Sequence, residues 1–222
     1  MNLIDFEWIR SSGAYSIVEL GPRQVPHGSL VLPPEPGLST EGKKYFETYR
    51  PTDFPALFQQ FADMPETAEG MRDFFNTFGP LEWWGRSEYL NKQAPGWYSC
   101  EFPVFEVLAH HGWMRRVIRL LDAGSNISEL AEGFRLGGGG GLLPELRPGA
   151  DGRPALFLVP SSLLQFLWLQ FAQYAGSDAK LFRCEQCNLP FLVGTGTSRR
   201  SQAKYCSDAC RHAAFRQRRA PA

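Results

Sequence analysis

Four cysteines near the end of the chain have the spacing of a metal site. Cys184 and Cys187 form a C-x2-C pair, and after 18 residues Cys206 and Cys210 form a C-x3-C pair. Thiolates bind zinc at about 2.3 Å, and four of them complete its tetrahedral coordination. Since no position is left for water or a substrate, we expect a structural Zn²⁺ that takes no part in catalysis. Disulfides or free thiols are the alternatives.

A turn and a helix start must hold the two pairs against one ion. The C-x2-C turn sets two thiolates on the same side of the metal. Ser207 can cap a helix with the sequence DACRHAAFRQRR, which puts Cys206 just before the helix and Cys210 in its first turn. This knuckle followed by a helix start predicts a treble-clef-like module over residues 180–222. A segment this short buries little apolar surface, so its folding should depend on the metal.

Positive charge is concentrated in the same segment. Residues 180–222 hold 9 Lys/Arg and 2 Asp/Glu, a net charge of +7, whereas residues 1–179 hold 14 and 21, a net charge of −7. Four thiolates with one Zn²⁺ lower the charge of the module by about two units, to about +5. This asymmetry indicates a segment that meets nucleic acid, an acidic protein or the chain's own acidic part, or one that is simply solvated.

A helical wheel separates a metal-facing side of the last helix from a basic side. Cys210, Ala213, Ala214 and Gln217 share the first arc, and Phe215 lies with the arginines on the other. Arginine binds phosphate and guanine through a planar, bidentate fork. If about five cations reach phosphates, log affinity should fall with log salt at a slope of about −4.5. The predicted nucleic-acid contacts are Arg199, Arg200, Lys204, Arg211, Arg216, Arg218 and Arg219.

The upstream residues predict a larger domain of helices and short strands. β-prone runs occur at 16–20, 29–32 and 155–159. The predicted helices are FPALFQQFAD with Asp53 as its cap, a helix that starts near Pro65, runs TAEGMRDFFNTF and ends at Gly79, a helix over 103–123 ending at Gly124, and an apolar helix that starts at Pro160-Ser161-Ser162 and runs to Tyr174. The last of these is apolar on almost every side, so it should lie at the centre of the domain. The fold class predicted is α+β, mainly helical, with domains over 1–179 and 180–222.

The sequence favours a cytoplasmic protein. Its start, MNLIDFEWIR, is acidic and lacks the apolar core of a signal peptide. Residues 155–175 carry no charge, but Pro160 and several polar residues indicate a strand, a break and a helix rather than a spanning segment. We therefore expect no membrane partner. In the cytoplasm disulfides are rare, which again favours metal for the paired cysteines.

Catalytic motifs are not found in the sequence. Neither G-x-S-x-G nor H-E-x-x-H occurs, so we expect no enzyme, and an enzyme within residues 1–179 is the weakest alternative. Glu106, His110 and His111 fall on one predicted helix. The adjacent histidines point in different directions, so a second metal site is not expected there. The remaining cysteine, Cys100, is expected to be an ordinary buried residue.

Aromatic residues between two predicted helices have two interpretations. They are Trp83, Trp84, Trp97 and Tyr98. They can line a pocket for a small-molecule ligand, or they can pack in the core or at an interface, which is the commoner role of such residues. The N-terminal domain is accordingly expected either to sense a ligand or to form a homodimer.

Residues 180–222, called the zinc segment or the C-terminal segment below, resemble a known family. The stretch LFRCEQCNLPF…RRSQAKYCSDACRHAAFRQRR is similar to the C-terminal module of bacterial CGNR-type zinc-finger proteins, which carry a helical N-terminal domain called ABATE and are described as stress-linked transcription regulators. The shared features are the four cysteines, Phe191 and the flanking arginines. Where the family has Cys-Gly-Asn-Arg, this chain has Cys210-Arg211-His212-Ala213, closer to variants that end in Tyr-Cys-Ser-Asp-x-Cys-Arg. The upstream run LFQQFADMPETAEGMRDFFNTFGPLEWWG also looks like the helical part of such proteins.

The leading hypothesis is a zinc-dependent nucleic-acid-binding protein that contacts DNA. The resemblance implies a bacterial transcription regulator. The alternative is a protein-interaction adaptor whose basic zinc module docks an acidic partner or its own N-terminal domain.

Overall fold

A computed structural model defines the fold. It describes residues 6–11, 13–19, 29–32, 46–82, 102–124, 128–129, 131–132, 142–148, 153–194, 197, 199–200 and 202–219. The strands are β1 Trp8–Ser11, β2 Ser16–Glu19, β3 Ser29–Leu32, β4 Phe46–Tyr49, β5 Phe102–Pro103, β6 Leu142–Pro148, β7 Pro154–Pro160, β8 Lys180–Arg183 and β9 Pro190–Val193. The helices are α1 Leu57–Asp63, α2 Ala68–Phe78, α3 Val104–Asp122, α4 Leu163–Ala175 and α5 Asp208–Arg219.

The strands form small antiparallel sheets. β1 pairs with β4, β3 lies between β2 and β5, β6 pairs with β7, and β8 pairs with β9. The fold is therefore mixed, and the prediction of an α+β protein is confirmed at that level. Strands contribute more than the expectation of a mainly helical chain allowed, since β4, β6 and the β8–β9 hairpin were not predicted.

The helix α4 lies at the centre of the main core, as its composition predicted. Eight of its residues are buried, including Phe166, Leu167 and Trp168. α1 packs against both α3 and α4. The Ser162 hydroxyl accepts a hydrogen bond from the backbone N–H of Gln165 at 3.2 Å and caps the helix. No helix in the described parts of the chain is long and apolar enough to cross a membrane.

The helix α2 also begins and ends where the sequence predicts. The Thr67 hydroxyl accepts from the N–H of Gly70 at 3.1 Å. The apolar residues that recur at helical spacing along α2 are buried; they are Met71, Phe74, Phe75 and Phe78. Gly79 follows the helix with φ of 78°, a conformation that favours glycine. A Cβ at Gly79 would also lie 2.3 Å from the carbonyl oxygen of Ile9 in β1. This glycine therefore ends α2 and lets β1 approach closely.

The start of α1 differs from the prediction. Asp53 does not cap it, because Asp53 ends a short 3₁₀ helix and α1 begins four residues later, at Leu57. The buried side chain of Gln170 in α4 takes over the role of a cap. Its Oε1 accepts from the N–H of Phe58 at 3.0 Å, and its Nε2 donates to the carbonyl of Phe54 at 2.7 Å. Backbone groups at a helix start need such partners when they are buried.

Candidate metal centre and basic surface

The four cysteine sulfurs lie together at one point of the C-terminal segment. All four are within 4.8 Å of one another. The Sγ atoms of Cys187 and Cys206 are 3.6 Å apart, and those of Cys206 and Cys210 are 3.5 Å apart. Zinc–sulfur bonds of about 2.3 Å give a tetrahedron with edges of about 3.8 Å. The cysteines are not joined by disulfides, and their spacing fits one four-coordinate metal ion.

The first pair sits on the turn between β8 and β9. The N–H of Cys184 donates to the carbonyl of Leu189 at 3.0 Å, and the N–H of Asn188 donates back to the carbonyl of Cys184 at 2.9 Å. Asn188 has φ of 59°, a left-handed conformation that asparagine tolerates better than most residues. The chain reverses here, which turns both sulfurs of the pair toward the same point.

The second pair sits at the start of α5, as the sequence predicts. Cys206 precedes the helix, and Cys210 is its third residue. The Ser207 hydroxyl accepts from the N–H of Cys210 at 3.1 Å, so the predicted cap is confirmed. Asp208 lies in the first turn, where a negative charge is favourable. The cap therefore holds a cysteine of the cluster in place as well as the helix.

The cysteine sulfurs differ in their electrostatic surroundings. At Cys184, burial would raise the pKa, but hydrogen bonds from the backbone N–H groups of Cys206, Cys187 and Gln186 bring it down to about 6. At Cys206, burial and the neighbouring thiols together raise the pKa to about 12. The protein alone thus favours a thiolate at Cys184 and not at Cys206. A divalent cation supplies the charge that four adjacent thiolates require.

The segment around the cysteines has a small core of its own. Its buried residues are Cys184, Phe191 and Val193, and Ala203 and Tyr205 pack against them. These few residues contrast with the 24 buried residues of the main core in the described part of the chain. Cysteines therefore make up a large share of the small core that holds this segment together.

The β8–β9 hairpin joins the segment to the rest of the protein. Leu181 and Leu192 pack against the main core. Nη2 of Arg183 lies 2.6 Å from Oδ2 of Asp63, at the end of α1. Beside this ion pair, an open cleft of about 450 Å³ runs between the α1–α2 region and the knuckle, with Cys187 in its wall.

The predicted basic residues of the loop and the helix start line one groove. It has a volume of about 590 Å³ and is formed by Arg199, Arg200, Lys204 and Arg211 together with polar and small residues around Tyr205 and Asp208. The structure thus brings together four of the seven predicted contacts. The carbonyl of Lys204 accepts from the N–H of Glu185 at 3.0 Å, which ties one wall of the groove to the knuckle.

Several groove cations have acidic neighbours within the same segment. Arg199 and Arg211 both approach Oδ1 of Asp208, at 3.7 and 3.5 Å, and Lys204 approaches Glu185 at 3.2 Å. Exposed pairs of this kind contribute about 0–1 kcal/mol, so they are readily exchanged for another anion. Three positive side chains with two carboxylates leave the groove positive, and Arg200 adds to this charge.

The last two turns of α5 are solvent-exposed on nearly every side. Arg216, Arg218 and Arg219 are exposed, as predicted for nucleic-acid contacts. The wheel correctly placed Ala213 and Ala214 on the half-buried side, but Gln217 is exposed rather than directed to a core. Among the described residues the small core around the cysteines does not extend this far, which leaves Gln217 exposed.

The other sequence candidates that the structure describes do not join this site. His111 is buried, and its Nε2 lies 3.1 Å from the carbonyl oxygen of Ala62, whereas Glu106 is exposed. Burial lowers the pKa of His111, although the carbonyls of Ala62 and Met64 and the carboxylate of Asp63 oppose this. Cys100 and the aromatic group Trp83, Trp84, Trp97 and Tyr98 lie outside the described residues.

Comparisons with known proteins give no match. No family model, no curated protein and no solved structure matches the chain. The resemblance to CGNR-type proteins therefore remains a prediction from the motif, and any function must be argued from the site.

Proposed function

We propose that this protein binds nucleic acid through a basic surface that one structural Zn²⁺ holds in shape. The observation that carries the proposal is the groove beside the cysteine cluster, where four cations converge. Phosphate oxygens are the most abundant anions in a nucleic acid, and arginine binds them with two parallel hydrogen bonds.

Zinc suits the donor set better than the other common divalent ions. Four thiolates are soft ligands, whereas magnesium and calcium prefer oxygen. Cys184, Cys187, Cys206 and Cys210 would hold the ion, and the closed tetrahedron would leave no position for catalysis. Because Cys206 and Cys210 flank the capped start of α5, the ion would fix this helix and its arginines relative to the groove. This is the treble-clef-like role that the spacing predicts.

Three of the predicted contacts are exposed and have neither an ion-pair partner nor a ring contact among the described residues, so they offer the sharpest test. They are Arg200, Arg216 and Arg218. Fluorescence anisotropy with DNA of random sequence should show binding near 50 mM salt that weakens as salt increases. Changing all three residues to glutamine should weaken binding and reduce the log–log salt slope on duplex DNA by about 2.7, which is about 0.9 for each lost phosphate contact.

A matched control separates a local surface from overall charge. Arg119 is an exposed arginine on α3, outside the zinc segment. The change Arg119→Gln should leave both the affinity and the salt slope as they are. If the unaltered protein, with its metal bound, does not bind DNA or RNA at low salt, the proposed function is wrong.

In this proposal DNA is the first candidate ligand, and the chain acts as a bacterial transcription regulator in the cytoplasm. That extension rests on the resemblance of the zinc segment to CGNR-type modules. A ligand or a second copy would bind the N-terminal domain.

The second candidate is an adaptor that docks an acidic protein. One observation favours it, since the Arg183–Asp63 ion pair and Leu181 already join the zinc segment to the acidic domain. However, this contact uses the β8–β9 hairpin, and it leaves the cations of α5 exposed. Competition distinguishes the two functions: a polyglutamate chain of equal charge should displace DNA poorly if the groove recognises phosphate, and should displace it well if the groove is a docking site for acidic protein.

A further inference from the structure

We propose that the basic surface binds single-stranded nucleic acid, with a phosphate in the groove and an unpaired base stacked on Phe215. This inference rests on the proposed function and specifies its ligand. Its basis is the exposed ring of Phe215 on α5, whose presence among arginines the cysteine cluster does not explain.

Phe215 is only partly covered in the folded protein. It is 46% exposed, on a helix that contains no buried residue. The guanidinium carbon of Arg219 lies 4.3 Å from the centre of its ring. A cation in this position is attracted to the face of the ring. The arginine therefore holds the ring in place while almost half of the side chain remains open to solvent.

The ring lies in line with the groove. Arg211, Phe215 and Arg219 are spaced by four residues, so they follow one another along one face of α5, with about 6 Å between neighbours. Arg211 also lines the groove. A ligand whose phosphate sits in the groove therefore has the ring of Phe215 one helical turn away. A nucleotide combines an anion with a flat aromatic base, and the two parts of this surface match those two parts.

Single strands fit this arrangement better than duplexes. In a duplex the faces of the bases are stacked on one another, and a side chain reaches them only by forcing a step apart. An unpaired base presents its face directly, and aromatic side chains stack on such bases with little regard to sequence. The walls of the groove are side chains from a loop and a helix start. A single strand has a flexible backbone that can bend to fit them.

The test compares Phe215→Ala with the unaltered protein on single-stranded DNA, single-stranded RNA and duplex DNA of one sequence. The affinity for single strands should fall about 5- to 150-fold, the usual effect of removing a stacking residue. Duplex affinity should change less than about twofold, and the salt slope should stay the same because no charge is altered. Phe215→Trp should restore binding. The DNA and RNA arms show which strand is preferred.

Phe182→Ala is the matched control. Phe182 is 43% exposed on β8, in the same segment but outside the groove. This change should leave single-strand affinity within about twofold of the original, a shift too small to indicate stacking. The metal content of every variant shows that the segment is still folded.

The possible failures are distinct. An equal loss on single strands and duplexes, or no loss on either, would overturn the stacking of a base on Phe215. If the variant with Arg200, Arg216 and Arg218 changed to glutamine still binds more weakly in that case, the proposed function survives without base stacking. If the unaltered protein binds no nucleic acid, both the proposed function and the stacking on Phe215 are wrong.

Discussion

Removal of the metal should unfold the C-terminal segment and leave the main core folded. Burial of Phe191 and Val193, the two hydrophobic side chains in the segment's own core besides a metal ligand, contributes about 3–6 kcal/mol. A structural zinc ion contributes about 10–16 kcal/mol in comparable small modules. The free energy lost with the ion is therefore larger than the free energy that the remaining burial contributes, so α5 should lose its structure when the ion is removed.

Circular dichroism can follow this change because α5 is a substantial share of the helix in the described part of the chain. There the five helices contain 7, 11, 19, 13 and 12 residues in chain order, and residues 128–129 and 131–132 are also helical. Loss of α5 should therefore remove at most about one fifth of the helical signal at 222 nm. The chelator is added under reducing conditions, and released zinc is measured in parallel. One equivalent of metal should leave together with the helical signal, and thermal unfolding of the main core should still be cooperative.

Two serine variants make the test specific. Cys206→Ser removes a ligand and should give protein without stoichiometric zinc and with the same reduced helical signal. Cys100→Ser changes the one cysteine outside the cluster and should leave one equivalent of zinc bound. The reasoning is refuted if reduced, intact protein contains no stoichiometric metal, or if α5 remains folded after the metal is removed.

Two further predictions concern the main core. Gln170→Leu leaves the N–H of Phe58 without its buried acceptor, whereas the carbonyl of Phe54 still accepts from the N–H of Leu57 at 3.1 Å. One unsatisfied buried group costs about 1–3 kcal/mol, so the free energy of unfolding in chemical denaturation should fall by about that amount. For His111, burial lowers the pKa in the folded state, so the unfolded chain takes up a proton first as pH falls. Its contribution to stability is present above about pH 6.5 and should be lost below it by up to about 1.4 kcal/mol per pH unit, a dependence that His111→Gln should remove.

Neighbouring residues provide the controls for these two changes. Gln173 is an exposed glutamine on the same helix as Gln170, and Gln173→Leu should shift the unfolding free energy by no more than about 0.5 kcal/mol. His110→Gln should leave the pH dependence in place. Equal effects of the two glutamine changes would show that the hydrogen bonds of Gln170 do not stabilise the start of α1. The same pH dependence with and without His111 would show that another group causes it.

Local signals in the sequence were reliable where a few adjacent residues carry them. Ser207 caps the helix predicted after it, the helix predicted to start at Pro160-Ser161-Ser162 follows Ser162, and Gly79 ends another helix as predicted. A cap is a hydrogen bond between residues three positions apart, so the short sequence contains both partners. The prediction failed at Asp53, because the buried start of α1 is capped by Gln170, 112 residues from Phe58. No local pattern identifies a partner at that distance.

The sequence alone predicted the four cysteines that the structure brings together, the two sides of α5 near them, and the charge of the C-terminal segment. Each follows from residue type and spacing, which are local. Only the tertiary structure decided that Arg199, Arg200, Lys204 and Arg211 line one groove, that the hairpin packs against the main core, and that Gln217 is left exposed. These results depend on where separate elements pack and where a core ends, and packing joins residues that are far apart in the chain.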